Sequence, residues 1–198
     1  MSRSGILGQA MKTSMMRSMA VALAVLILLV SDAFSQALRP PGSSPEVLDQ
    51  ILAPIAQYPD ALVSQILLAA TYPLEVVQAD QWLQDPANAA LSGDQLAAAL
   101  DRLPWEPSVK SLLRFPQILR LMDGNRDWME RLGDAFLADQ AGVMDSIQRL
   151  RHRAKAAGGL SSTPQAVVTT QVSAIEIEPA RPDMVYIPVY DPQLVYGV

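Results

Sequence analysis

The chain is expected to be α+β and mainly α: a bundle of short helices with a small C-terminal antiparallel β tail. Three observations carry this expectation. Helical patterning runs from Pro45 to about Ala157. Within it, proline recurs directly behind an aromatic residue, at Tyr58-Pro59, Tyr72-Pro73 and Phe115-Pro116, with Trp105-Glu106-Pro107 as a looser case. After Ser161-Ser162-Thr163-Pro164 the composition shifts to Val, Ile, Thr and Tyr. Proline is tolerated in the first turn of a helix and pushes the residue before it out of helical conformation. Each aromatic-proline step therefore ends one helix and begins the next.

Taken in order, Ser44-Pro45-Glu46 reads as a helix start, with Ser44 as N-cap and Pro45 in the first turn. The spacing predicts helices over Pro45–Ala56, Asp60–Ala70, Leu74–Gln84, Gly93–Arg102, Pro107–Leu113, Pro116–Met122 and Arg126–Ala156. Pro54 kinks or ends the first, and the last carries a possible break near Gln140–Gly142. Leu62, Ile66, Leu67 and Ala70 fall on one helical face, and Leu132, Phe136, Val143, Met144 and Ile147 form a similar series. Leu96–Leu100 supports a helix through its alanines. Arg149, Arg151, Arg153 and Lys155 precede Gly158-Gly159, as expected where cations face a helix C-terminus and glycine supplies a left-handed cap.

Strands are expected over Val167–Val172, Ala174–Glu178, Met184–Val189 and Leu194–Tyr196, forming a small meander. Pro182-Asp183-Met184-Val185-Tyr186 recurs ten residues later as Pro192-Gln193-Leu194-Val195-Tyr196, which suggests two similar strand-and-turn units. The resulting organisation is a signal peptide over residues 1–35, a linker over 36–44, a helical domain over 45–157, a linker over 158–164 and the β tail over 165–198.

The N-terminus carries Arg3, Lys12 and Arg17 ahead of an unbroken apolar run from Met19 to Val30. A positive segment, a short apolar segment and small residues near Ser35 and Ala37 read as a cleaved export signal. Its removal takes three basic and one acidic side chain, moving the net charge from −5 to −7. An acidic body is a poor partner for nucleic acid or anionic lipid. Cysteine is absent, which excludes disulfides, thiolate metal sites, a cysteine nucleophile and lipoprotein acylation. No other apolar run approaches membrane-spanning length, so no membrane anchor is expected after signal cleavage.

Four stretches are recognisable in order and spacing: LDQILAPIAQYPDALVSQILLAATYPLEVVQADQWLQ, LPWEPSVKSLLRFPQIL, MDGNRDWMERLGDAFLADQAGVMDSIQRLR and IEPARPDMVYIPVYDPQLVYG. Together they resemble the bacterial Domain of Unknown Function 3300 family from Leu48 to Gly197. The resemblance implies an exported protein of the Gram-negative periplasm and brings no established activity or catalytic residue. Members often continue beyond the VYG motif, whereas this sequence stops at Val198. The chain is thus expected to be either a minimal member or a piece of a longer protein.

No catalytic, cofactor or metal site is expected. Asp123-Gly124-Asn125-Arg126-Asp127 places acidic and amide groups at alternate positions, as a calcium loop does, but Trp128 and Glu130 stand where glycine and an apolar residue belong. An inter-helix turn with Asn125 as N-cap fits better. Asp60, Glu75, Asp80 and Asp85 offer carboxylates for an envelope hydrolase acting on peptidoglycan or another glycan, without a pairing that fixes their separation. His152 stands alone among basic residues. In an extended tail Met184, Tyr186, Pro188 and Tyr190 alternate with Val185, Ile187 and Val189, so both faces are apolar or aromatic. These residues either close the core or form an edge that takes a partner by strand addition. The favoured expectation is an exported, non-enzymatic envelope module binding an envelope protein or the cell wall, with Tyr186, Tyr190 and Tyr196 as contact residues.

Overall fold

The computed structural model describes residues 44–197; the expected signal and all but the last residue of the first linker lie outside the described residues. Ser44 caps the first helix, α1 (Pro45–Leu52), by accepting from Val47 N, and Pro45 occupies its first turn. α1 ends at Leu52 rather than Ala56, because Pro54 lacks the N–H that would continue the ladder. The chain then turns through Ala53–Tyr58.

The aromatic-proline steps begin helices where expected: α2 (Asp60–Ala70) after Tyr58-Pro59, α3 (Pro73–Gln84) after Tyr72, α6 (Pro107–Leu112) after Trp105-Glu106 and α7 (Pro116–Gly124) after Phe115. A short unexpected helix, α4 (Pro86–Ala89), follows Asp85, whose carboxylate accepts from Ala87 N at 2.9 Å. α5 (Gly93–Asp101) buries no residue fully. The expected long helix is two: α8 (Arg126–Ala138) and α9 (Gln140–Ala156), broken at Asp139, whose side chain accepts from Gly142 N at 2.8 Å. α9 ends as expected. Gly158 is left-handed at φ +76, and Gly159 N donates to Ala154 O at 2.8 Å.

The core gathers α1, α2, the inner faces of α3 and α6 to α9, and the tail residues Ile175, Ile177 and Tyr196. Leu62, Ile66, Leu67 and Ala70 are buried together, as their spacing predicts; Met144, by contrast, is exposed. α1 packs against α9, α2 against α6 and α8, and α3 against α7. Gly133 permits the α2–α8 approach, since a Cβ there would lie 2.3 Å from Ala70 O. Two clusters, each centred on a buried charged residue, tie α9 to the rest. Asp49 on α1 accepts from Ser146 Oγ at 2.5 Å, Arg149 at 2.8 Å and Arg153 at 3.0 Å. Arg151, fully buried, donates to the carbonyls of Ala56, Tyr58 and Ile175 and pairs with Asp60.

The tail departs from the expected meander. β1 (Ala166–Gln171) and β2 (Ala174–Pro179) form an antiparallel hairpin with Val168 opposite Ile177. Val172 takes φ +52 at its tip. Met184–Val189 joins no sheet and, beyond the isolated bridge of Met184 to Arg181, forms no helix or strand; Leu194–Tyr196 lies in a helix, α10 (Pro192–Tyr196). The ten-residue repeat thus adopts two conformations. In the second copy Asp191 caps the helix through Gln193 N, Pro192 sits in its first turn and left-handed Gly197 closes it. The first copy has Arg181 at the capping position, pairing with Asp183, and Pro188 holds Ile187 out of helical conformation.

Candidate functional site

The tail surface is built around Val185–Tyr190. The inward side chains of Val185 and Ile187 pack against the core, while Met184 and Tyr186 face out. At Pro188 the alternation slips: Val189 is exposed and Tyr190 turns inward. The regular two-faced strand expected here is therefore not kept. The main-chain N–H and C=O groups from Val185 to Tyr190 make no hydrogen bond among the described residues.

The neighbouring hairpin is different, because side chains cover its edges. Ser162 Oγ accepts from Val168 N at 2.9 Å and donates to Val168 O at 3.3 Å. On the other edge, Gln148 accepts from Ile175 N at 2.7 Å and donates to Ile175 O at 3.2 Å. A sheet edge covered this way cannot recruit a strand at those residues. Among the described residues no side chain covers the main chain of Val185–Tyr190 in this way.

Of the three tyrosines expected at a contact surface, only Tyr186 is exposed, at 45%. Tyr190 Oη donates to Ala53 O at 2.7 Å and accepts from Gln57 N at 3.3 Å. Its ring meets Tyr58 and Tyr196 edge to face, with centroids 6.4 and 6.1 Å apart. Tyr196 is buried. Burial pushes the hydroxyls of Tyr58, Tyr190 and Tyr196 above the ordinary tyrosine value. Tyr190 and Tyr196 thus knit the tail to the turn after α1, and Tyr186 alone is presented to solvent.

Tyr186 and Pro188 line a cleft of about 200 Å³ together with Ala166, Val168 and Ile177 of the hairpin and Gln57 of the turn after α1. Ser161 and Thr163 also line it. Gln57 is buried, and its Nε2 has no hydrogen-bond partner among the described residues. Tyr196 Oη lies near Gln57 and Tyr190, yet also closes no hydrogen bond of normal geometry.

The other candidate groups are held in structural contacts. Asp60 pairs with Arg151 at 2.5 Å, Glu75 accepts from Glu106 N at 2.6 Å, Asp80 accepts from Gln84 Nε2 at 3.1 Å, and Asp85 caps α4. His152 Nε2 contacts Ser173 O at 2.8 Å. Among the described residues no group of three His, Cys, Asp or Glu side chains is arranged to hold a metal. Asp123 pairs with Arg126 at 2.8 Å. Asn125 sits at the N-cap of α8, but its side chain donates back to Leu121 O instead of capping. The basic cluster is divided among Asp49, Asp60, the carbonyls held by Arg151, and Thr170, which accepts from Lys155.

Two features escape a reading of the sequence. Arg151 follows Val143 and Ile147 at intervals of four, which places it on the buried face of α9 rather than among the solvated cations. Gln57 lies in an irregular turn, where periodicity carries no information about burial.

Comparison with known proteins agrees with the order of the sequence motifs. The family described as "Protein of unknown function (DUF3300)" matches residues 44–198. The uncharacterized protein YacH of Escherichia coli (strain K12) is 46% identical over 182 residues, an alignment covering 76% of this chain and 29% of the relative. The chain therefore spans less than a third of the length of that curated relative. No solved structure matches it.

Proposed function

The chain belongs to the DUF3300 family, and we propose that it is an exported cell-envelope module that binds a partner protein by strand addition along Val185–Val189. One observation carries this reading: the main-chain donors and acceptors of Val185–Tyr190 are free of hydrogen bonds among the described residues and lie beside a cleft lined by exposed Tyr186. An added strand supplies main-chain bonds along such a run, and a pocket beside it supplies selectivity. Tyrosine suits the rim, with its large apolar body and polar tip. The basic and apolar N-terminal segments support export to the periplasm. The reading is favoured over carboxylate hydrolysis because Asp60, Glu75, Asp80 and Asp85 already serve structural contacts.

Two measurements test the reading. N-terminal sequencing of the protein from a periplasmic fraction should begin near residue 36 or 38. A photo-crosslinking residue at Val189 should trap a partner chain in cells, while one at exposed Gln117 on α7 should not. In the same preparation the amides of Val185, Tyr186, Ile187 and Val189 should gain protection from hydrogen exchange when partner is present. Equal crosslinking at both positions, or unchanged exchange in the segment, would count against strand addition.

A further inference from the structure

Helix α5 is only loosely docked. It buries no residue fully and makes only slight contact with other elements. Leu100 near its C-terminal end packs against the core, but Leu96, one turn earlier, does not, nor does Leu91 ahead of the helix. Both instead line a cleft of about 780 Å³, together with Leu83 of α3 and Leu113 after α6. This cleft shares no lining residue with the one beside Tyr186. Its volume lies within the roughly 300–1,000 Å³ of small-molecule sites, which combine apolar walls with a few polar groups.

The charged groups at the cleft are Arg114 after α6, Arg120 on α7 and Asp94 in the first turn of α5; Asn88 and Ser92 line it as uncharged polar residues. Asn88 is already engaged, donating to Trp82 O at 3.0 Å, and Asp94 complements the dipole of its own helix. Neither arginine has an ion pair or a side-chain hydrogen bond among the described residues, whereas Arg126, Arg149, Arg151, Arg153 and Arg181 each have a carboxylate partner. The chain as a whole carries 20 acidic residues against 15 Lys and Arg, yet the cleft lining holds two cations and one carboxylate. A guanidinium matches carboxylate and phosphate oxygens in a bidentate geometry.

Independently of the strand-addition reading, we propose that this cleft binds an anionic amphiphile: an apolar chain against Leu91, Leu96 and Leu113, with a carboxylate or phosphate head held by Arg114 and Arg120. The chain covers leucines that the core leaves uncovered, and the head supplies the counter-charge that the arginines lack. The acidity of the whole molecule does not oppose this, because one head group responds to charges within a screening length of about 8–10 Å at physiological salt. An anionic bilayer, by contrast, faces the whole surface.

The test titrates the mature chain with decanoate, decyl phosphate and decyltrimethylammonium below their micelle concentrations, and with inorganic phosphate, followed by methyl ¹H–¹³C and arginine ¹H–¹⁵N NMR. Decanoate and decyl phosphate should shift the methyls of Leu91, Leu96 and Leu113 together with the Nε–H groups of Arg114 and Arg120, and the tighter of the two identifies the head group. Decyltrimethylammonium and inorganic phosphate should each bind at least about tenfold more weakly, the first lacking the negative charge and the second the chain. Arg114→Gln combined with Arg120→Gln should weaken the anionic amphiphiles by about tenfold without moving the urea midpoint, since both side chains are exposed. Ala97→Trp, at an exposed position in the cleft lining, should abolish their binding and leave the circular dichroism spectrum unchanged. Equal affinity for anionic and cationic amphiphiles, or full affinity in the doubly substituted chain, would overturn the site. Inorganic phosphate binding as tightly as decyl phosphate would overturn the amphiphile as its ligand.

Discussion

Arg151→Met removes the guanidinium but keeps most of the alkyl stem packed in the core, so it isolates the polar contribution of this residue. Arg151 Nε donates to Ala56 O at 2.8 Å, Nη2 to Tyr58 O at 3.1 Å and Nη1 to Ile175 O at 2.7 Å. These carbonyls belong to the turn after α1 and to β2, so one side chain joins α9, the turn and the hairpin. Ile175 O keeps a second donor in Gln148, and Asp60 is 42% exposed and can be rehydrated. Among the described residues the carbonyls of Ala56 and Tyr58 have no other partner. Leaving each of these two buried acceptors unpaired costs about 1–3 kcal/mol. The expected destabilisation is therefore about 3–5 kcal/mol, a large share of the ~5–15 kcal/mol typical of a domain. Urea unfolding of the mature chain, followed by circular dichroism, measures it as a lower midpoint at unchanged slope. Arg149→Met provides the contrast, because Asp49 retains Ser146 and Arg153, and should cost about 1 kcal/mol. A loss below about 1 kcal/mol for Arg151→Met, or a gain, would refute the assignment of the guanidinium as the tie between tail and helices.

Three further outcomes follow from the geometry. Tyr190→Phe loses the bonds to Ala53 O and from Gln57 N and should cost about 1–2 kcal/mol in the same urea assay, whereas exposed Tyr186→Ser should stay within about 0.5 kcal/mol. Gly133→Ala places a Cβ 2.3 Å from Ala70 O, a backbone atom that cannot rotate away; α2 and α8 must separate, and the midpoint of a thermal melt should fall by about 3–10 °C. The third concerns pH. Burial raises the folded-state pKa of Tyr58, Tyr190 and Tyr196 above the unfolded value of 10.0, so the folded chain holds these protons more tightly. Their contribution to stability is complete below pH 10 and is lost as pH rises further. Alkaline unfolding should begin above that pH and coincide with a step in tyrosinate absorbance; gradual ionisation of all five tyrosines with the fold intact would contradict it.

Much of the helical region is legible because proline states a helix start in stereochemical terms that tertiary contacts seldom override. Pro73, Pro107 and Pro116 each open a helix, and Asp60 does so directly after Pro59. Pro86 carries the same signal behind Asp85, yet α4 is only four residues long and has no apolar period of its own. The tail was less legible for a different reason. Val, Ile and Tyr favour extended backbone, but a strand also needs a neighbour, and nothing within Met184–Val189 says whether one exists. Leu194–Tyr196 has the same composition and forms a helix because Asp191, Pro192 and Gly197 supply the cap, the start and the stop.

The candidate site inherits this division. Alternation alone assigns Tyr186 and Tyr190 to one face. Pro188 shifts the phase between them, so Tyr190 joins Tyr58 and Tyr196 inside while Tyr186 stays at the cleft. A double change would confound loss of binding with loss of the tail's anchorage. Tyr186 is therefore the residue at which binding can be altered with little effect on folding, and Tyr190, which does not itself line the cleft, the residue whose change acts on folding through its bonds to Ala53 O and Gln57 N. If Tyr186→Ser and Tyr190→Phe weaken partner capture to the same degree as they weaken stability, the surface is no more than the outside of a packed tail. Separation of the two effects, with Tyr186→Ser losing capture at unchanged stability, is what strand addition beside the Gln57 cleft requires.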